Sequence, residues 1–333
     1  MEEENACNIY QGSWVKDASY PLYKTCPFVE TAFDCQRNGR PDTGYLSYRW
    51  QPTACQLPRF DGLGFLKRYK GKKIMFVGDS LVRDQWQSLA CLLYNAQKGL
   101  TYSLTRVGFV STLTIPEYNI SLSLDRNPFL VELVTEKMGR ILKLDSINGS
   151  GWKGMDLLVF DTWHWWSYRH AEQVWDYIQI GNRYLKDMDR TEAFAHAVGT
   201  WGAWVDANID PTKTRVFFQG ISPNHYNGSE WNEPKANMCV GQTTPVSGSK
   251  YPGTYPTGMA VLRRELGHVT KVPVTLLDLT GLSLFRKDGH PSIYGNANVN
   301  GGSPRFPDCT HWCIAGVPDT WNQILSYLIL SKQ

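Results

Sequence analysis

Apolar residues along the chain fall into short continuous runs separated by stretches of helical periodicity. The run Lys73-Ile74-Met75-Phe76-Val77 is unbroken, as a strand covered on both faces requires. Comparable runs at Val131 to Val134, Met155 to Phe160, Arg215 to Gln219 and Val272 to Leu277 predict further strands. Apolar positions recurring at helical spacing predict helices at Leu81 to Asn95, Arg190 to Asn208, Met259 to Gly267 and Asp319 to Ser331. Strands that alternate with helices imply an α/β fold with a central parallel sheet. Ser111 to Thr114 and Ile120 to Leu124 instead alternate polar with apolar residues, which predicts an inserted antiparallel hairpin turning at Pro116-Glu117-Tyr118-Asn119 and shaping a groove.

Composition adds a class to this pattern. At 333 residues and 42% hydrophobic content the chain can bury a substantial core. No Pro/Gly/Ser linker, charge run or internal repeat divides it, so one compact body with an amino-terminal lobe is expected, the lobe over residues 5–57 and the larger part over 58–332. The net charge of +3, without a basic stripe, argues against nucleic acid as the main partner. A mildly acidic polymer remains compatible, and Arg83, Arg169, Arg286 and Lys287 are candidates to meet its carboxylates, although solvated charge is the ordinary reading of each.

Aromatic residues make up 13% of the chain and cluster in Trp163-His164-Trp165-Trp166-Ser167-Tyr168. Any one of these rings is ordinarily core. The cluster nevertheless follows a strand end, where open α/β sheets bind ligands, so Trp163, His164, Trp165, Trp166 and Arg169 are candidate substrate contacts.

Eight cysteines are dispersed without a Cys-x-x-Cys metal pattern, which reads as four disulfides in an oxidising compartment. They allow roughly a hundred pairings, and spacing does not choose among them. Sequons at Asn119, Asn148 and Asn227 also point to the secretory pathway. No apolar run of about eighteen residues reads as a spanning helix.

The candidate chemistry lies at the ends of the larger part. Gly78-Asp79-Ser80 follows the first strand run directly, so Ser80 should sit at a strand-to-helix turn whose first N–H groups can stabilise an oxyanion. Gly, Asp and Ser are also what any turn or helix cap prefers. Far along the chain, Asp308-Cys309-Thr310-His311 spaces a carboxylate and an imidazole three residues apart, as adjacent positions on a helical turn would be. Ser80 as nucleophile, His311 as base and Asp308 as orienting carboxylate follow from that pairing. Of seven histidines, the main rival base is His290 in Asp288-Gly289-His290-Pro291-Ser292; its Gly and Pro read as a tight turn that lines the acceptor site. The backbone N–H of Ser80 should serve the oxyanion hole, with Arg83 and Asp161 as secondary candidates. Asp161 can donate there only if protonated.

Several blocks in order resemble one known family. Gly12-Ser13-Trp14-Val15, Tyr20-Pro21-Leu22-Tyr23, Phe33-Asp34-Cys35, Gly39-Arg40-Pro41-Asp42 and Tyr48-Arg49-Trp50-Gln51-Pro52 occupy the amino-terminal segment. Gly78-Asp79-Ser80-Leu81, Gln85-Trp86, Trp165-Trp166, Asp187-Met188-Asp189, Lys287 to Ser292 and Asp308 to Cys313 occupy the remainder. Together they resemble the plant trichome-birefringence-like proteins, which acetylate cell-wall polysaccharides and belong to the wider group of Gly-Asp-Ser serine esterases. Val317-Pro318-Asp319-Thr320-Trp321-Asn322-Gln323 is most similar to the powdery-mildew-resistance subgroup, linked to pectin.

The resemblance implies an esterase-like three-layer sandwich with a central parallel sheet, plus a disulfide-rich lobe. It implies pairs Cys7 with Cys55, Cys26 with Cys91, Cys35 with Cys313, and Cys239 with Cys309. It further implies residence in the Golgi lumen behind an amino-terminal anchor, so that the Met1-Glu2-Glu3-Glu4 start suggests a trimmed lumenal fragment; secretion to the wall is the alternative. Related esterases often carry an asparagine donor where Asp161 stands here, which puts that residue's role in doubt.

The expected reaction is a double displacement through acetyl-Ser80 onto homogalacturonan, or else xylan, from acetyl-CoA or another acetyl carrier, with no bound cofactor or metal. A polysaccharide acetylesterase and a non-catalytic polysaccharide-binding protein are the competing readings. The sequence leaves the oligomeric state open.

Overall fold

The computed structural model describes residues 7–295 and 306–331. The Met1–Glu4 start and the outer limits of the two expected segments lie outside these residues. In chain order the elements are β1 (Gly12–Lys16), β2 (Tyr48–Pro52), α1 (Gly62–Arg68), β3 (Lys73–Gly78), α2 (Ser80–Tyr94), β4 (Ser103–Val107), β5 (Val110–Ile115) and β6 (Ile120–Arg126). There follow β7 (Glu132–Glu136), β8 (Gly139–Lys143), β9 (Leu157–Phe160), β10 (Tyr177–Ile180), β11 (Arg183–Leu185), α3 (Arg190–Asn208) and β12 (Arg215–Gln219). The series closes with α4 (Gly258–Leu266), β13 (Val274–Leu277), α5 (Thr280–Leu284) and α6 (Val317–Ser331).

A seven-stranded sheet in the order β13-β12-β9-β3-β6-β5-β4 forms the centre. Pairing from β13 to β6 is parallel throughout, and β5 and β4 add an antiparallel end. The strands read as unbroken apolar runs because both faces are covered: Ile74, Phe76 and Val159 join one core with α2 and α6, while Met75, Val77 and Phe160 join another with α3 and α4. From β3 the chain places β6 on one side and later β9 on the other, so β3 stands at the point where the winding reverses. Its carboxyl end is where such sheets leave a crevice.

Two expectations change here. The predicted hairpin forms, but β5 and β6 are strands of the central sheet rather than an insertion beside it. The predicted strand at Val131 to Val134 forms as β7, in a separate four-stranded sheet ordered β11-β10-β8-β7. Its residues alternate between half-buried and exposed, which suits a sheet covered on one side only.

Most buried side chains of the amino-terminal lobe join the main core, with a small separate cluster of Cys35 and Tyr45 around Cys313. Ile9, Tyr23, Phe28, Phe33 and Trp50 belong to the same buried cluster as α2 and α6. Four disulfides join Cys7 to Cys55, Cys26 to Cys91, Cys35 to Cys313 and Cys239 to Cys309, the pairs implied by the resemblance. Among the described residues no helix is long and apolar enough to cross a membrane.

Candidate active site

Ser80 opens α2 directly after β3. The turn between them depends on Gly78, whose φ of +153° is strained for other residues and whose absent Cβ would lie 2.1 Å from the Asp161 carbonyl oxygen. Asp79 caps the helix: its carboxylate accepts from the Leu81 N–H at 2.8 Å, and from the Trp163 and His164 N–H groups at 3.3 and 3.2 Å. Ser80 is thereby fixed on the first turn, whose N–H groups the helix's own ladder leaves unused.

His311 reaches Ser80 from the far end of the chain. Its Nε2 lies 2.7 Å from Ser80 Oγ, and its Nδ1 lies 2.8 Å from Asp308 Oδ2. The expected helical turn is absent. Asp308 pairs with Ser292 in an isolated bridge, and its other oxygen, Oδ1, accepts from the backbone N–H groups of Thr310 and His311 at 3.1 and 3.0 Å. A carboxylate-capped loop therefore produces the juxtaposition that helical spacing predicted.

The segment is held from all sides. Cys309 and Cys313 are disulfide-bonded, the Trp312 N–H donates to buried Asp84 at 3.0 Å, and Phe33 of the lobe packs against the His311 ring at 5.3 Å.

Charge at the site is arranged around the imidazole. Burial disfavours the His311 cation, but the Asp308 hydrogen bond and the nearby Asp84 carboxyl outweigh it and raise the pKa. Burial alone would raise Asp308 too; the hydrogen bonds from His311 and Thr310 prevail and keep it ionised far below the usual range. Asp84 is pushed up to about 7 by burial. The Asp161 carboxyl is pushed well above the carboxylate range by burial and by the neighbouring Asp79. It is 1% exposed, neighbours Asp79 and does not line the groove.

A groove of about 600 Å³ opens at Ser80. Of the aromatic cluster, Trp165 lines it. Trp163 packs on Phe194, Trp166 is fully buried and donates to Thr162, and His164 is buried beside Asp79. Arg169 is exposed and lies outside the lining. His290 is corrected from acceptor contact to internal support: it is 1% exposed, and its Nδ1 meets the His311 carbonyl oxygen at 2.6 Å. Arg286 is buried against Asp288, and Lys287 pairs with Glu233, so neither faces a substrate. Arg83 lines the groove but pairs with Glu30 of the lobe at 3.0 Å.

The sequence reading missed Arg106, Phe109 and Arg126, which border the groove from β4, the β4–β5 turn and the end of β6. The signal available was position: Arg126 ends the strand that pairs with β3. Asn119, Asn148 and Asn227 are all exposed, and Asn148 lies on the groove wall. Among the described residues no group of three metal-ligating side chains converges.

Residues 57–328 match the GDSL/SGNH-like acyl-esterase family found in Pmr5 and Cas1p, and residues 5–56 match the PMR5 N-terminal domain. The chain is 58% identical over 332 residues to protein trichome birefringence-like 41 of Arabidopsis thaliana, an overlap of 98% of this chain and 92% of that protein. It is 52% identical to protein trichome birefringence-like 42 of the same plant, over 98% of this chain and 89% of that one. Protein trichome birefringence-like 39, also of Arabidopsis thaliana, is 50% identical over 98% of this chain and 88% of its own length.

Proposed function

The chain belongs to the trichome birefringence-like proteins of the GDSL/SGNH-like acyl-esterase family, and on that premise we propose that it is a polysaccharide O-acetyltransferase of the plant cell wall. The observation that carries the reading is the unbroken hydrogen-bond chain Ser80 Oγ, His311 Nε2, His311 Nδ1, Asp308 Oδ2 at the mouth of a groove.

In this reading His311 takes the Ser80 proton while Oγ attacks the acetyl carbonyl of a donor ester or thioester. The Ser80 N–H receives the developing oxyanion. Collapse breaks the bond to the leaving group, which takes the proton from His311. A sugar hydroxyl then gives its proton to His311 and attacks acetyl-Ser80; the second collapse forms the sugar ester and returns the proton to Ser80. Asp308 stays ionised throughout and fixes the tautomer of His311. The donor is acetyl-CoA or another acetyl carrier, and the protein works in the Golgi lumen.

Homogalacturonan is the favoured acceptor, ahead of xylan. Arg106 and Arg126 border the groove; burial and the like charges of Arg106 and Arg83 lower the Arg126 pKa, and Glu30, 3.8 Å away, offsets part of that repulsion. Polyuronate carboxylates would relieve that repulsion. An acetylesterase would use the same acetyl-serine and differ only in admitting water.

Mass spectrometry with a small acetyl ester and a panel of homogalacturonan and xylan oligosaccharides tests the proposal on wild type and Ser80→Ala. The expected result is acetyl gained by a homogalacturonan oligosaccharide with wild type only. Free acetate without transfer would instead identify the esterase.

A further inference from the structure

Two buried histidines outside the triad carry a proton count that neutral rings do not satisfy. His290 Nδ1 lies 2.6 Å from the His311 carbonyl oxygen, and His225 Nε2 lies 2.8 Å from the Leu284 carbonyl oxygen. Between the rings, His225 Nδ1 lies 2.6 Å from His290 Nε2. The residues are 0% and 1% exposed. A carbonyl oxygen only accepts, so each outer nitrogen must carry a proton. The inner nitrogens face each other and need one proton between them. Three contacts therefore require three protons, whereas two neutral imidazoles bring two. Any neutral arrangement leaves one acceptor against another in the buried interior.

From this count we propose that His225 and His290 share a third proton, forming a buried imidazolium–imidazole unit that positions His311 and sets the charge against which it titrates. Taken singly, each ring is held from a second proton by burial, with His225 pushed down to about 4. As a pair they differ, because losing the third proton also breaks a hydrogen bond and brings two lone pairs together.

The surroundings favour the charge. Trp312 stacks on His290 with ring centroids 4.1 Å apart and planes 26° from parallel, offering its negative π face to the cation. The Asp288 carboxylate acts for the charge on His225 and Asp308 for that on His290, whereas Lys287 and His311 act against. Asp288 is shared with Arg286, and Lys287 with Glu233. Arg40, from the lobe, donates to the His290 carbonyl at 3.0 Å and fixes the backbone behind the ring.

The catalytic half of this inference rests on the triad reading. Asp308 and Ser80 hold the His311 ring while His290 holds its carbonyl, which makes His290 a positioning residue. The buried cation opposes protonation of His311 and limits the upward pull of Asp308 and Asp84, so the imidazolium returns its proton to the leaving group more readily.

Nitrogen-15 NMR of the histidine-labelled intact protein at neutral pH counts the protons. Three on the four ring nitrogens are expected; two would overturn the proposal. In His225→Phe, His290 becomes neutral and still donates to His311, so the acid limb of Ser80-dependent hydrolysis of a small acetyl ester should move up by about half a pH unit or more. A folded variant whose activity falls without movement of that limb overturns the catalytic half. Turnover insensitive to Ser80→Ala would sink the triad reading and the catalytic half with it, the proton count still deciding the rest.

Discussion

Asp308 is ionised because its two oxygens collect hydrogen bonds from three nitrogens on two residues, His311 and Thr310. Asp308→Asn keeps the shape but offers an amide to His311 Nδ1, which can then hold the wrong tautomer; kcat should fall about three to four orders of magnitude with little loss of thermal stability. Asp84 acts on the same imidazole through charge and holds the neighbouring Trp312 N–H. Because an ionised Asp84 raises the His311 pKa, Asp84→Asn should move the acid limb of kcat/KM to lower pH while retaining the Trp312 hydrogen bond. A limb that stays in place would show that Asp84 remains protonated at working pH. Among these residues, the hydrogen-bonded grouping of Ser80, His311 and Asp308 was legible in the sequence because a serine after a strand run and an Asp-x-x-His pair form a recognisable combination. His290 was legible as important but misassigned: an Asp-Gly-His-Pro turn looks like exposed chemistry, and only three-dimensional contacts reveal that the ring faces inward to His225.

The elements follow the hydrophobic pattern closely where that pattern is strong. The helix over Arg190–Asn208 and the strand over Arg215–Gln219 form at the bounds the periodicity predicts. The hairpin β1/β2 was missed because Gly12–Lys16 and Tyr48–Pro52 pair across more than thirty intervening residues, and neither strand is an apolar run. The loop that carries His311 was misread as helical, since Asp-x-x-His fits an Asp-capped turn as well as a helix. Helix α6 contributes a pH dependence of its own. Asp319 is buried and pushed up to about 6, although Ser88, Tyr23 and the Gly316 N–H donate to it. A carboxyl raised from its unfolded value of about 4 stabilises the fold below that value and loses this contribution as pH rises through the folded pKa. Urea midpoints should therefore decline from about pH 4 to pH 6, and Asp319→Asn should flatten that decline; an unchanged slope would assign it to Asp84 or another group.

At the scale of the molecule, the lobe and the catalytic segment form one body. Phe33 packs on His311, Glu30 pairs with Arg83, Arg40 reaches the carbonyls of Asp288 and His290, and Cys35 is bonded to Cys313 two residues beyond His311. Replacing Cys35 and Cys313 with serine should cost about 2–5 kcal/mol of stability and also lower kcat, because the His311 segment loses its anchor. Replacing Cys7 and Cys55 should lower stability with kcat retained, since that bridge stays within the lobe. Activity and unfolding measured on both double variants separate the two effects. The central claim, that Ser80 carries the acetyl group, is tested most directly by acid-quenching the protein during turnover of a small acetyl ester and mapping its peptides by mass. The account predicts one acetyl group on the Ser80 peptide of wild type and none on Ser80→Ala; turnover that persists in Ser80→Ala, or acetyl found on another residue, would contradict it.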